Sequence, residues 1–505
     1  MNKIKKPNIL FIITDQQRHD VMGCCDDIIQ TPNLDKLASR GKIFTEAVCN
    51  VPMCVASRYA IMTGLYGFQS GVKHNAQMIC RDEDLPVPVL AERLRSAGYK
   101  TAGFGKTHWY IGSSILPKAE IDGSARGFDT RYIRGASGNP STEEKNAIYM
   151  GDEEPEWVIK EKEENSTFGL GGETVNGYVG LTSTVPPEHH GEGWLTRKAL
   201  DYIDNELDRD NPFFMYLSYD YPHVGLRVPP GYEERYNIND FSDEPPVESA
   251  TLGHRQGEDF KDAWLHMTSK ERQKSRLRYA ALCTYVDDLY GSVIQKLDDI
   301  GELENTFILY TSDHGDMMGD RGLASKYSLY EGSIRVPMII AGPGVESTGL
   351  TDERPAESVD IVPTLLDAAG VEIPENLPGF SLISDFKRSG AFAEMHGRGY
   401  EEYQRAPAIM YRNKDWKLIL YISGPLGAFS GELENIKGEL YYLKEDLIEL
   451  NDLYKDDEHS KTREKMTTQL LMHVMCSLGR FPSGVQRASI NVTGPETKPD
   501  SSIWE

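Results

Sequence analysis

Four segments of the sequence place polar residues of matching chemistry directly behind apolar runs. Asp15-Gln16 follow Asn8 to Thr14, Lys106 and His108 follow Tyr99 to Phe104, His223 follows Phe213 to Ser218, and Asp313-His314 follow Thr306 to Ser312. Each alone is weak, because an Asp after a strand is more often a turn cap and a single His is usually just hydrogen-bonded. Together the carboxylates, the carboxamide and the imidazole form the donor set of a hard or borderline divalent cation. A fifth segment, Cys54 to Leu65, reads as a helix with Cys54 at its N-terminus and Arg58 one turn on, on the same face. First-turn N–H groups, the helix dipole and a guanidinium would all favour a tetrahedral oxyanion there. Taken alone, the same segment reads equally well as a buried Cys and an Arg on an ordinary helix.

The elements that must position these residues follow from periodicity and punctuation. Asn8 to Thr14 reads as a buried strand, followed by a loop and a helix with Thr31 as cap, Pro32 in the first turn and Gly41 just past the end. Pro88 to Ala97 reads as a helix closed by Gly98 and leading into the strand Tyr99 to Phe104. Phe213 to Ser218, Thr306 to Ser312 and Val336 to Ala341 read as further strands, with Arg276 to Ile300 and Val359 to Ala369 as helices. Alternation of this kind predicts a large, mainly parallel α/β sheet covered by helices, whose ligands bind beyond the carboxyl ends of the strands. Residues 135–190, polar, Gly-rich and acidic, read as an insertion near the substrate pocket. After Gly379 the pattern shifts to short strands at Trp416 to Ile422 and Glu439 to Leu443 and a helix at His459 to Leu478. The expected division is a catalytic α/β domain over 1–385 and a smaller α+β subdomain over 386–505.

The chain has 505 residues, 54 Lys+Arg against 78 Asp+Glu and a net charge of −24. This balance argues against nucleic acid or an anionic membrane as partner and leaves an anionic substrate to a local pocket of positive charge and metal. Seven cysteines, odd in number and scattered, together with the absence of a signal-peptide core or an apolar span of about 18 residues, point to a reducing, cytoplasmic location. His74, the pair His189-His190 and the pair Cys24-Cys25 lack metal-ligand spacing and are read as structural, with His189 or His190 at most a substrate contact.

On the residues already named, the chain resembles a type I sulfatase of the alkaline phosphatase superfamily. That family's signature, C-x-P-S-R followed by a short helix and T-G, stands here as Cys54-Val55-Ala56-Ser57-Arg58 and Thr63-Gly64. The similarity continues through Asn8 to Asp15, Thr31 to Asp35, Gly105-Lys106-Thr107-His108, Ser312-Asp313-His314-Gly315-Asp316, Lys326, Tyr330-Glu331-Gly332 and Arg335-Val336-Pro337. Ala56 stands where the signature has proline, Gln16 where many members have Asp, and His314 where many have Asn. The Asp-Gln and Asp-His pairs also resemble those of phosphonate monoester hydrolases.

The resemblance implies that a maturation enzyme converts Cys54 to formylglycine, whose hydrate attacks sulfur or phosphorus with Asp313 as the nearest base and forms a covalent ester. Asp15, Gln16, Asp313, His314 and residue 54 would hold one divalent metal: calcium first, with manganese, magnesium or zinc as alternatives. Lys106 and Arg58 would neutralise the transferred group, His223 and Lys326 would stabilise or protonate the departing alkoxide, and His108 would take the proton from the second hydroxyl. The expected reaction is hydrolysis of a small aryl, alkyl or carbohydrate sulfate monoester. A phosphonate monoester or phosphodiester hydrolase with the same site is the first alternative, and a non-catalytic anion-binding protein with unmodified Cys54 the second. A homo-oligomer is compatible with either.

Overall fold

The run Ile9 to Ile13 is apolar at every position, so it must be covered on both faces, and it forms the centre of β1 (Asn8–Thr14), buried throughout. The computed structural model describes residues 6–75, 77, 79, 82–108, 126–132, 175–242, 264–345, 349–396, 408–422 and 436–479. Most of the expected insertion, residues 133–174, and Cys80 lie outside the described residues. The strands that follow are β2 (Gly41–Phe44), β3 (Ala47–Val48), β4 (Lys100–Gly105), β5 (Thr130–Tyr132), β6 (Leu181–Thr182), β7 (Phe213–Ser218) and β8 (Arg227–Val228). After them come β9 (Thr306–Ser312), β10 (Met338–Ala341), β11 (Leu350–Asp352) and β12 (Ala356–Glu357).

Eight of these strands form one sheet in the order β11-β2-β10-β9-β1-β7-β4-β5. β1 lies between β7 and β9 and runs parallel to both, with Ile9 opposite Phe214 and Asn8 opposite Thr306. β10 is the antiparallel exception, pairing with β9 and β2. It starts at Met338, two residues later than the apolar run suggested, because Pro337 has no N–H to give and the Val336 N–H goes to the Ala47 carbonyl.

The alternation of side chains along β1 sorts the core into two layers. Leu10 and Ile12 pack with Leu34 and Leu37 of the helix Pro32–Ser39, Leu195 of Gly191–Asn205, and Val293 and Leu297 of Ser269–Asp299. Ile9, Phe11 and Ile13 face the opposite layer, which holds Val55 and Ile61 of Cys54–Thr63, Leu90 and Leu94 of Leu90–Ser96, and Val362 and Leu365 of Ile361–Ala368. The long helix begins seven residues before the expected Arg276, where the Thr268 hydroxyl accepts the Glu271 N–H and the Glu271 carboxylate accepts the Thr268 N–H.

Beyond residue 390 a second sheet, antiparallel, runs β13 (Ala391–Met395), β14 (Ala408–Arg412), β15 (Trp416–Ile422), β16 (Ile436–Tyr442), with the helix Ser460–Gly479 against it. Ala393, Met410 and Ile419 join the same apolar core as Ile9 and Val55, so the two sheets are joined by continuous packing. Among the described residues no disulfide occurs, and no helix is long and apolar enough to cross a membrane.

Candidate active site

β1, β4, β7 and β9 all end at the same edge of the large sheet, so the residues that follow them meet there: Asp15-Gln16, Lys106 to His108, Asp220 to His223, and Asp313-His314. The strands approach closely at this edge. Gly105 has φ +99, and a Cβ on it would stand 1.8 Å from the Ser218 carbonyl oxygen, so only glycine serves. Gln16 and His108 take the left-handed backbone region at φ 68 and 55 without being glycines, a cost of order 1 kcal/mol each that marks a functional constraint. Gln16 is held there by its own N–H, 3.1 Å from Asp313 Oδ1, and by its carbonyl, which accepts the Tyr279 hydroxyl.

The helix Cys54–Thr63 ends against the same edge. Met53 is its extended N-cap, Cys54 its first residue, and the Val55 N–H is taken by Asn75 Oδ1 at 3.1 Å. Cys54 is 2% exposed, and its Sγ lies 3.8 Å from Asp15 Oδ1 and 3.1 Å from His314 Nε2.

Asp15, Cys54, Asp313 and His314 each offer one donor atom, and these four atoms lie within 4.8 Å of one another. Asp15 Oδ1 stands 3.9 Å from His314 Nε2, and Asp313 Oδ1 3.6 Å from the same nitrogen. Such separations are too wide for hydrogen bonds. They match the spacing of ligands that each sit about 2.3–2.6 Å from a shared hard cation. His314 donates Nδ1–H to the Gly315 carbonyl at 3.0 Å, which leaves the Nε2 lone pair facing the centre, as a metal ligand requires. The Gln16 carboxamide oxygen lies at the same edge and accepts from Lys326 Nζ at 2.8 Å. The residues present therefore fit a divalent cation.

Arg58 spends its donors behind the carboxylates: Nε on Asp313 Oδ2 at 2.8 Å, Nη2 on Asp15 Oδ2 at 3.0 Å, and Nη1 on the Lys106 carbonyl and the Ser218 hydroxyl. Lys106 Nζ sits 2.8 Å from both Asp15 Oδ2 and Asp220 Oδ1. Lys326 Nζ lies 2.8 Å from His223 Nε2, whose ring donates Nδ1–H to the Val224 carbonyl at 3.0 Å and so meets the ammonium with a lone pair.

The electrostatics separate the two carboxylates. Burial works against the charge of Asp15, yet the cations on it, Lys106 and Arg58, outweigh that and hold the carboxyl well below the usual range. Asp313, equally buried and facing the charge of Asp15, is pushed up to about 7. Burial lowers His314, and burial with a neighbouring lysine lowers His108 and His223, so all three rings are neutral near pH 7. Burial also raises the Cys54 thiol, with the Asp15 charge adding to the effect. An unmodified Cys54 is therefore a thiol and a poor nucleophile.

All ten residues singled out by sequence thus reach one edge of one sheet, although His108 is fixed there only by its place after β4. Sequence reasoning missed Asp220, Asp316, Tyr178 and Asn75. Asp220 and Asp316 stood in view, two residues beyond β7 and at the end of Asp313-His314-Gly315-Asp316, but the motif offered no sign of what they touch.

Residues 7–371 match the sulfatase family model, and residues 319–475 match the model for the C-terminal region of N-sulphoglucosamine sulphohydrolase. An arylsulfatase of Clostridium perfringens is 31% identical over 393 residues, spanning 75% of this chain and 78% of that one. A choline-sulfatase of Rhizobium meliloti is 28% identical over 452 residues, spanning 86% and 81%. The crystal structure of a phosphonate monoester hydrolase of Agrobacterium radiobacter superposes with a TM-score of 0.72 at 22% identity, covering 94% of this chain and 96% of that one, which establishes a common fold.

Proposed function

The chain belongs to the sulfatase family, whose members are sulfuric ester hydrolases, and on that premise we propose that it hydrolyses a small sulfate monoester. The observation that carries the reading is the convergence of Asp15, Cys54, Asp313 and His314 donor atoms within 4.8 Å at a helix N-terminus, flanked by two lysine ammoniums.

Position 54, in the hydrated formylglycine form, supplies the hydroxyl that attacks sulfur to form a covalent sulfate ester, its proton passing to Asp313 as the nearest base. Asp15, Gln16, Asp313, His314 and residue 54 would hold one divalent cation, calcium by the oxygen-rich donor set, which when bound would supply Lewis-acid and template chemistry. Arg58 orients Asp15 and Asp313 from behind and lets two carboxylates stand side by side. Lys106, fixed by Asp15 and Asp220, neutralises the transferred group. As the bond from sulfur to the alcohol oxygen breaks, Lys326 delivers a proton to the alkoxide. His223 cannot be that donor while neutral, and its Nε2 lone pair holds the Lys326 ammonium in place. His108, neutral, takes the proton of the second hydroxyl of residue 54, so that the carbon–oxygen bond to the sulfate breaks, sulfate leaves and the aldehyde is regenerated.

A phosphorus substrate is the second reading, favoured by Gln16 and His314, the pair shared in appearance with phosphonate monoester hydrolases. Matched 4-nitrophenyl sulfate and 4-nitrophenyl phenylphosphonate separate the two. The expected kcat/KM is higher on the sulfate, after peptide mass analysis has established an aldehyde at position 54. A preference for the phosphonate by orders of magnitude replaces the reading, and an intact thiol with no turnover in a maturation-competent host favours an anion-binding protein. On either substrate, the division into a catalytic unit over 1–385 and a smaller unit over 386–505 places every proposed site residue in the first.

A further inference from the structure

Gln16 occupies a place where a second carboxylate would be the simpler ligand, and its surroundings explain how a carboxamide can serve. Its two ends face opposite charges: Nε2 donates to Asp316 Oδ2, while Oε1 accepts from Lys326 Nζ at 2.8 Å. Turned end for end, the amide would press its NH2 against an ammonium and its oxygen against a carboxylate. Asp316 therefore decides which atom of Gln16 looks into the site. A carboxamide oxygen has two lone pairs, one of which Lys326 uses and the other of which stays available for a cation.

Asp316 is itself held from several directions. Its Oδ2 also accepts the Tyr178 hydroxyl at 3.1 Å, and its Oδ1 accepts the N–H groups of Met318 at 2.8 Å and Ser325 at 3.0 Å. Ser325, left-handed at φ 66, immediately precedes Lys326. One buried carboxylate thus ties the Gln16 side chain, the loop that carries Lys326, and Tyr178 of the short helix Val175–Val179.

We infer that Asp316 and Tyr178 are positioning residues that lock the Gln16 carboxamide with its oxygen toward the metal, a buried anion beside the site doing the work that a second aspartate ligand would do directly. This rests on the reading of Gln16 as a metal ligand. Partners that orient a ligand typically contribute tenfold to a hundredfold in metal affinity.

The test is calcium titration of metal-stripped protein by calorimetry, which reads affinity without turnover, on the wild type, Gln16→Ala, Asp316→Asn, Tyr178→Phe and the double variant Gln16→Ala/Asp316→Asn. The expected result is a tenfold or greater loss for Gln16→Ala and for Asp316→Asn, severalfold for Tyr178→Phe, and little further loss in the double variant beyond Gln16→Ala. Non-additivity of this kind separates positioning from the mere removal of a nearby charge. If Asp316→Asn costs the same with or without Gln16, or costs nothing, positioning is overturned while Gln16 remains a ligand. If Gln16→Ala itself leaves calcium affinity unchanged, the ligand reading falls, and the proposal with it. Tyr178→Phe removes one hydroxyl and no charge, so it decides the matter if Asp316→Asn does not fold; unchanged affinity there counts against positioning.

Discussion

Two largely buried ionic clusters among the described residues solve the same problem in different ways. In the first, at the carboxyl edge of the large sheet, Arg58 and Lys106 face Asp15, Asp220 and Asp313, with Lys326 beside them on the Gln16 carboxamide oxygen. In the second, between the helix Glu331–Ile334 and the small sheet, Arg335, Arg412 and Lys417 face Glu46, Glu331 and Glu449. The second cluster is closed. Arg412 grips Glu331 with two hydrogen bonds of 2.8 Å, and the Lys417 ammonium sits 3.0 Å from Glu331 and 2.7 Å from Glu449. The first cluster is open: its cations stand behind or beside the carboxylates, and Asp15 Oδ1 has Cys54 Sγ, His223 Nε2 and His314 Nε2 only at 3.8–3.9 Å. Both clusters set a lysine ammonium between two carboxylates, Lys106 between Asp15 and Asp220 and Lys417 between Glu331 and Glu449, but in the first the Oδ1 atoms of Asp15 and Asp313 also turn toward Cys54 and His314. Burial of charge alone does not mark a candidate site; buried donor atoms of several residue types that converge on one point do.

The contrast can be broken most sharply at Cys54 and Asp313. Cys54→Ala is expected to abolish turnover of 4-nitrophenyl sulfate by on the order of 10⁵-fold or more, with the thermal midpoint unchanged. Asp313→Asn is expected to lower kcat/KM by about 10³-fold and yet raise the midpoint of the metal-free protein, because it relieves repulsion between Asp15 and Asp313. A fall in metal-free stability would mean that the open cluster is as well balanced as the closed one.

Lys417→Met should do the reverse. Removing one partner of a closed buried cluster costs about 3–5 kcal/mol, read from urea unfolding, while kcat per folded molecule changes less than tenfold. Chelation of the metal is expected to lower stability by about 2.7 kcal/mol from a starting concentration of 100 times Kd, and by the same amount in Lys417→Met, since the two clusters share no partner. Unequal losses would show that the clusters are coupled.

The pH dependence of the closed cluster is read within a narrow interval. Burial pushes Glu449 up to about 7, above the ordinary glutamate value of 4.5. Between those values the folded protein keeps a proton that the unfolded chain releases, so stability falls as pH rises from about 4.5 to about 7. Glu449→Gln should flatten that slope in urea midpoints measured across the interval. An unchanged slope would assign it elsewhere.

Much of this was legible in the sequence, but unevenly. Thr306 to Ser312 and Phe213 to Ser218 could be delimited to the residue, because a strand covered on both faces is apolar throughout and stops where polar chemistry begins. The helix Gly191–Asn205 was missed, since it starts on a glycine and shows few apolar residues in its first turn, and β13 and β14 gave only short mixed patterns. Most of the candidate site residues were legible because they sit at strand ends, Cys54 and Arg58 because they share a helix face, and Lys326 only through the family resemblance. Their pairings were not: nothing local says that Arg58 turns its guanidinium toward Asp15 and Asp313, or that Asp316 faces Gln16. Those contacts depend on how the strands order themselves, and sequence spacing is silent on that.

The central position of β1 has a consequence for biogenesis. Its neighbours, β7 and β9, leave the ribosome some two hundred and three hundred residues after it, so this fully buried strand waits for both of its partners. Parallel pairing over such separations is slow and leaves an aggregation-prone segment exposed during synthesis. Over the same interval Cys54, almost inaccessible once the sheet has closed, would remain within reach of the modifying enzyme that the proposed function requires. Slow closure of the sheet is thus the hazard of this topology and, on that proposal, the window in which the nucleophile would be made.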